Sequence, residues 1–212
     1  ADDGFDLLCV DDQFSGQVTA LGGRPGALWH ALTMSTQLCG TFDAYLASRS
    51  ARLKKNLRRY QRKLEASGPL DFRCTQTPEA IRAAVQRYGA LESAGWKGQV
   101  GTALGTSGPQ AMFYAALLEQ LASRGQAEVY ELWVGGVLAA SRLAAIEGQM
   151  IVILKTTYNE QLAEGAPGQL LLEAVIRDLF VRHPGKVIEF YTNATRDRLQ
   201  WTSDQRPTRH VT

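Results

Sequence analysis

Three apolar segments joined by two very short turns, within residues 128–156, constrain the fold of this chain more than any other feature. Gly135-Gly136 and Glu147-Gly148 separate the segments, and two-residue turns of this kind join neighbouring antiparallel strands. The spacing of apolar residues also changes here from that of a helix to that of a strand. The sequence therefore predicts a meander of three antiparallel strands. These strands cover residues 128–134, 137–146 and 149–156.

Helical patterns flank this meander on both sides. Before it, a strand near 71–75 is followed by a helix that Thr77-Pro78-Glu79 begins, and by a second helix from about residue 109. In the second helix, one stripe contains Phe113, Leu117 and Leu121. After the meander come a helix with Leu171, Val175 and Leu179 inward, a strand at 187–191, a short helix at 196–201 and a strand from 206. This order excludes the regular alternation of a doubly wound sheet.

A dense positive charge marks residues 49–63, which contain no acidic residue. The basic residues are Arg49, Arg52, Lys54, Lys55, Arg58, Arg59, Arg62 and Lys63. Leu53, Leu57, Tyr60 and Leu64 recur among them at helical spacing, which predicts an amphipathic basic helix. Its charged face has two interpretations. In the first, the charged face binds an anionic partner such as RNA, acidic lipid headgroups or a polymer precursor. In the second, it is a solvated surface.

The rest of the composition predicts an ordinary cytoplasmic globular protein. Net charge is +2, no apolar run approaches the length of a membrane span, and no signal peptide is visible. The three cysteines lack C-x-x-C spacing, so buried free thiols are expected and a metal site is not. The chain begins without methionine, as a fragment of a longer protein would.

Four stretches resemble the CelD-like and FemABX-like branch of the GNAT acyltransferase superfamily. They are a basic helix at 53–59, E-x-x-x-W-K-G at 92–98, K-T-x-Y at 155–158, and a version of S-P-G-x-L-L at 166–171. The resemblance covers about residues 45–205. It implies an α+β fold with a central mixed, mostly antiparallel sheet flanked by helices. The domain would span 69–212, and residues 1–68 would be a lead-in segment, a remnant of a first half or a linker to it.

The resemblance implies acetyl-CoA or another acyl-CoA as the cosubstrate. The Q/R-x-x-G-x-G/A phosphate loop common in the superfamily is absent, and only Pro167-Gly168 stands in its place. Backbone N–H groups and the dipole at a helix N-terminus suit a pyrophosphate there, although Pro-Gly also simply begins helices. Freed N–H groups at the preceding strand end could polarise the thioester oxygen. The candidate cofactor-binding residues are Lys155, Thr156, Thr157, Ala166, Pro167, Gly168, Gln169 and Leu170.

Candidate residues for the acceptor side come from the same resemblance. The catalytic candidates are Glu92, Tyr191 and Asn193, and the substrate-binding candidates are Trp96, Lys97 and Tyr158. A helix-surface role is the alternative for Glu92, and a packing role is the alternative for Tyr191 and Trp96. The family's ending with P-Y-K before a tryptophan is replaced by residues 191–197, and only Trp201 fits.

Three functions remain open at this point. The first is transfer of an acyl group to an amine or hydroxyl of a small molecule or saccharide, such as a polysaccharide or cell-envelope precursor. In the second, the chain resembles FemABX proteins that act on cell-wall precursors with aminoacyl-tRNA, and the basic helix contacts the RNA. In the third, it is a non-catalytic binding module that kept the fold.

Overall fold

The computed structural model describes residues 7–11, 27–191, 195, 198–202 and 204–211. The chain divides into two compact units. Unit 1 contains residues 1–37 and 188–212, and unit 2 contains residues 38–187. This division by packing differs from the domain boundary after residue 68, which stays a prediction.

The described residues form strands and helices that are labelled here in chain order. They are β1 (Leu7–Asp11), β2 (Ala27–Gln37), α1 (Phe42–Ser48), α2 (Ala51–Glu65), β3 (Leu70–Thr75), α3 (Pro78–Ala94), α4 (Trp96–Gln99), α5 (Pro109–Ala122), β4 (Ala127–Val134), β5 (Val137–Glu147), β6 (Met150–Tyr158), a 3-10 helix (Glu160–Gly165), α6 (Pro167–Arg182), β7 (Val187–Glu189) and β8 (Asp204–Val211). Both element types alternate irregularly, so the predicted α+β class is confirmed.

An antiparallel sheet of β3, β4, β5 and β6 forms the centre of unit 2, and each strand pairs with the next along the chain. The predicted meander is therefore confirmed, with strand ends that agree within two residues. Gly135, Gly136 and Gly148 have positive φ values of 56°, 83° and 51° in its two turns. Only glycine adopts this backbone readily, which explains the turn signals in the sequence.

Helices α3 and α5 share one apolar cluster with the sheet, which includes Tyr88, Leu118 and Leu143. The inward stripe predicted in α6 is confirmed, since Leu171, Val175 and Leu179 are fully buried. None of the described helices is long and apolar enough to cross a membrane.

The stripe of Phe113, Leu117 and Leu121 is not the buried face of α5. Phe113 is 59% exposed, and Leu117 and Leu121 are only half-buried. The buried face consists of Ala111, Ala115, Leu118 and Ala122. Small side chains let α5 approach α3 closely. A hydrophobic pattern draws attention to the larger apolar residues of a helix, although the alanines are the residues that pack here.

The predicted basic helix corresponds to α2, which begins two residues later than expected. The Ser50 side chain caps it by accepting a hydrogen bond from the Leu53 N–H at 3.1 Å. Leu53, Leu57 and Leu64 are buried, whereas Tyr60 is only half-buried. The apolar side of α2 thus packs within unit 2, and its basic side faces solvent.

In unit 1, β8 pairs antiparallel with β1 on one side and with β2 on the other. The C-terminal strand is thereby confirmed. Residues 27–37 gave no strand signal that we recognised, because their partner lies about 175 residues away in the sequence. Residues 198–201 form a turn and not the predicted helix, and residues 196–197 lie outside the described part of the chain.

The cysteine prediction is partly wrong. Cys39 and Cys74 are free thiols, but Cys39 is exposed and Cys74 is half-buried. Burial raises the pKa of the Cys74 thiol to about 12, with a further contribution from the nearby Glu128 carboxylate. Cys74 is therefore an unreactive thiol at neutral pH.

Candidate functional site

The turn between the 3-10 helix and α6 has an unusual backbone. Ala166 lies in the left-handed region with φ 42° and ψ 56°, at the N-cap position of α6. Its carbonyl accepts hydrogen bonds from the Gln169 and Leu170 N–H groups. The Gly168 N–H makes no hydrogen bond to any described residue. The first turn of α6 therefore presents one open donor, at a backbone position where strain is stored.

A buried arginine lies against this turn. Arg142 on β5 donates from Nη2 to the Gly168 carbonyl at 3.0 Å, and its side chain is almost fully buried. Opposite it on β6 is Thr156. A guanidinium and a helix dipole together favour an anion at this end of α6. The sequence analysis missed Arg142, although a single arginine in an otherwise apolar strand is a visible signal.

The end of β6, with the predicted cofactor-binding residues 155–157 and the predicted substrate-binding Tyr158, lies close to the start of α6. The Tyr158 ring is beside Gly168, since a Cβ at Gly168 would lie 3.9 Å from Tyr158 Cδ1. The Lys155 ammonium is 5.1 Å from the centre of the Tyr114 ring on α5, within the range of a cation–π contact. The structure thus brings the strand end at 155–158 and the helix start at 166–170 together.

Glu92, the predicted catalytic base, is only 1% exposed and accepts three hydrogen bonds. Oε1 accepts from the Tyr88 hydroxyl at 2.9 Å and the Lys97 ammonium at 2.5 Å, and Oε2 accepts from the Leu104 N–H at 2.7 Å. Burial acts to raise the pKa of Glu92, but these hydrogen bonds outweigh it and lower the pKa. A saturated, acidic carboxylate favours a structural role for Glu92 over that of a general base.

The Gly95-Trp96-Lys97-Gly98 segment is fixed by close backbone contacts. The Trp96 N–H donates to Glu160 Oε1 at 2.8 Å, and a Cβ at Gly95 would lie 2.8 Å from the same oxygen. A Cβ at Gly98 would lie 1.9 Å from the Ser93 carbonyl oxygen. Both glycines are therefore needed for these approaches. The result is a rigid segment in which Trp96 is 54% exposed and Lys97 is paired with Glu92.

A pocket of about 230 Å³ lies beside this segment. Tyr158, a predicted substrate-binding residue, lines it together with Gly95 of the motif at 92–98. Asn159 and Glu160 also line it, and the sequence analysis missed both. Their only signal was their position directly after the K-T-x-Y stretch.

Tyr191 belongs to unit 1, and Asn193 lies outside the described residues. Tyr191 has a φ of 46° and is 53% exposed. Its N–H donates to Glu189 Oε1 at 2.9 Å, and the buried Glu189 also accepts hydrogen bonds from the Thr33 hydroxyl and the Arg206 guanidinium. Glu189, which the sequence analysis missed, thus holds the left-handed turn that exposes the Tyr191 ring.

Comparison with known proteins places the chain in a family. Residues 51–197, more than half of the chain, match the family of acetyltransferase (GNAT) domains. No protein of curated function is significantly similar to the chain in sequence.

Several solved structures share the fold at low sequence identity. The C-terminal domain (DUF2156) of a protein from Agrobacterium fabrum matches 97% of this chain at 13% identity, with a TM-score of 0.66. FemX matches 98% of this chain at 10% identity, with a TM-score of 0.66. L-PGS from Bacillus licheniformis matches 97% of this chain at 10% identity, with a TM-score of 0.60. This chain spans 66%, 71% and 66% of the lengths of those three chains.

Proposed function

This chain belongs to the family of acetyltransferase (GNAT) domains, and on that basis we propose that it transfers an acyl group from acyl-CoA to an acceptor. The observation that carries the proposal is the first turn of α6, where the Gly168 N–H is open and Arg142 lies against the turn. An N–H donor, a helix dipole and a guanidinium together suit the pyrophosphate of CoA.

The remaining roles follow from the positions of the predicted residues. The pyrophosphate would lie at residues 166–170, and the thioester would lie along 155–157. A lone pair of the acceptor nitrogen or oxygen forms a bond to the acyl carbon, the C–S bond breaks, and CoA leaves as a thiolate. The proton that the acceptor loses protonates that thiolate. Tyr191, whose ring is exposed, and Asn193 stay the sequence-based catalytic candidates.

We place the acceptor near Trp96 and Tyr158, whose exposed rings suit a sugar or another small molecule with an apolar face. Lys97 contributes indirectly, because its ammonium is paired with Glu92. A saccharide of the cell envelope is the acceptor class that we favour.

An acidic residue at the start of α6 tests the cofactor site. Gly168→Asp is expected to weaken acetyl-CoA binding at least about tenfold, because its carboxylate repels phosphate. The same charge should stabilise α6 by about 0.3–1 kcal/mol through the helix dipole, so unfolding would not explain the loss. A Cβ at Gly168 meets only ordinary contacts. Calorimetric titration with acetyl-CoA measures the affinity.

The matched control is Thr77→Asp, which adds the same charge at the start of α3. Its neighbour Gln76 donates to Glu128, and Glu128 pairs with Arg182 at the far end of α6, about 21 Å from Gly168 by helix rise. Thr77→Asp should leave the affinity unchanged. Equal affinities for Gly168→Asp and wild type would place the cofactor elsewhere.

The exposed basic face of α2 favours a second candidate, aminoacyl transfer from charged tRNA. Arg52, Lys55 and Arg58 are exposed, and none of them is paired with a carboxylate in the part of the chain that the structure describes. No apolar side chain is exposed among them, because Leu53 and Leu57 are buried. A phosphate backbone suits such an arginine-rich surface.

Salt dependence of tRNA binding tests this second candidate. If α2 contacts RNA, Arg58→Glu should reduce the slope of log affinity against log salt concentration by about 1, and Arg124→Glu, an exposed residue outside α2, should not. Filter binding at several salt concentrations measures the slope. Equal slopes for the two variants would exclude α2 as the RNA contact.

A further inference from the structure

The pocket beside α4 has room for part of a ligand only. It lies in unit 2 between the end of α3, with Leu91 and Gly95, and the segment after β6, with Tyr158 and Glu160. Its volume of about 230 Å³ is below the roughly 300–1,000 Å³ of sites that enclose whole drug-sized ligands. The pocket is therefore suited to one terminal group of a larger molecule.

The charge of this pocket is negative. Glu160 is the only acidic residue in its described lining, which contains no lysine, arginine or histidine. The nearest basic residue in the sequence, Lys97, has its ammonium 2.5 Å from the buried Glu92 carboxylate. An anion would thus meet an uncompensated carboxylate, whereas a cation would be stabilised.

Glu160 is held in place by the protein backbone. Its Oε1 accepts the Trp96 N–H, and this approach requires the absence of a side chain at Gly95. The Asn159 side chain caps the 3-10 helix that begins with Glu160, by accepting from the Gln161 N–H at 3.0 Å. Oε2 of Glu160 makes no hydrogen bond to any described residue. One oxygen therefore anchors the carboxylate, and the other is available to a ligand.

We propose that this pocket binds a primary ammonium group of the acceptor, with Glu160 as its counter-ion and Tyr158 as an aromatic wall. The term acceptor rests on the acyl transfer proposed above. The proximity of Glu160 favours the protonated form of an amine, and a protonated amine has no lone pair for attack. The ammonium held here therefore selects the acceptor, and a different atom of the same molecule takes the acyl group. Glu160 is a specificity-determining residue.

Binding of two matched probes tests this proposal without acyl-CoA. Wild-type protein should bind n-butylammonium about tenfold more tightly than 1-butanol. This factor corresponds to the summed free energies of an ion pair with Glu160 at the surface and a cation–π contact with Tyr158. The Trp96 amide resonance in an NMR titration reports the site, since that N–H contacts Glu160. Glu160→Gln should abolish the preference for the ammonium, because a glutamine oxygen still accepts the Trp96 N–H but carries no charge.

Glu164→Gln is the matched control, because Glu164 lies in the same 3-10 helix and pairs with Lys63. It should retain the preference of the wild type. Tyr158→Leu should weaken the binding of n-butylammonium about two- to fivefold and leave the affinity for 1-butanol unchanged. Equal binding of both probes by the wild type, or an unchanged preference in Glu160→Gln, would overturn the proposal. A separate acetyl-CoA titration of Glu160→Gln should match the wild type, so failure of the cofactor site is distinguished from failure of this pocket.

Discussion

Glu128→Ala is expected to lower the free energy of unfolding by about 3–5 kcal/mol, because it leaves a buried charge network without its central carboxylate. Arg182, at the end of α6, donates to Glu128 from Nη1 at 2.5 Å and from Nη2 at 3.0 Å. Tyr130 and Gln76 also donate to this carboxylate, and His183 Nε2 lies 3.1 Å from it. Removing Glu128 leaves the buried Tyr130 hydroxyl and the partly buried Arg182 guanidinium without this carboxylate. Urea denaturation of the two proteins measures the difference.

A matched control is Glu119→Ala, which removes a half-exposed carboxylate that pairs with Arg82 at the surface. Such pairs contribute about 0–1 kcal/mol, so the control should unfold close to the wild type. A loss of under about 1 kcal/mol in Glu128→Ala would show that the network does not stabilise unit 2.

The low pKa of the Glu128 carboxylate predicts that the folded protein loses stability in acid. Burial would raise the pKa of Glu128, but hydrogen bonds from Arg182, Tyr130 and His183 lower it from 4.5 to about 2. A pKa that is lower in the folded state contributes stability above the unfolded value and loses it as the pH falls towards the folded value. The wild type should therefore lose about 3 kcal/mol between pH 4.5 and pH 2 from this group, and Glu128→Ala should lack that part of the loss.

Glu92→Gln is expected to cost about 2–4 kcal/mol of stability and to leave acetyl-CoA affinity unchanged. The amide has nearly the shape of the carboxylate, but it cannot accept from Tyr88, Lys97 and the Leu104 N–H together. Denaturation and acetyl-CoA titration of the same preparation measure both quantities. Glu79→Gln, on the exposed first turn of α3, is the control and should cost under about 1 kcal/mol. Unchanged stability with lost acyl transfer would instead make Glu92 the catalytic base.

The parts of the fold that the sequence predicted are those with local signals. The meander depends on two turns whose glycines must adopt positive φ, and α6 depends on Pro167 and a stripe of large apolar residues. The buried face of α5 and the strand β2 were missed. Alanines carry little signal in a hydrophobic pattern, and the pairing of β2 with β8 depends on residues at the other end of the chain.

The candidate site shows the same limit. The motif at 92–98 identified a segment that borders the pocket, but the contacts of its residues depend on partners far along the chain. Gly95 makes room for Glu160, and Glu92 binds the Leu104 N–H. Arg142 lies on another strand, and only the pairing of β5 with β6 brings it to the start of α6. Such contacts between distant segments have no spacing that one sequence reveals.

Calorimetric titration of the wild-type protein with acetyl-CoA tests the central claim most directly, with S-acetylpantetheine as the ligand that lacks the phosphates. Binding of acetyl-CoA in the micromolar range, with at least about tenfold weaker binding of S-acetylpantetheine, is the result we predict, since Gly168 and Arg142 are proposed to hold the pyrophosphate. Absence of acetyl-CoA binding by well-folded protein would contradict acyl transfer from CoA. Equal binding of both ligands would contradict the phosphate site at α6.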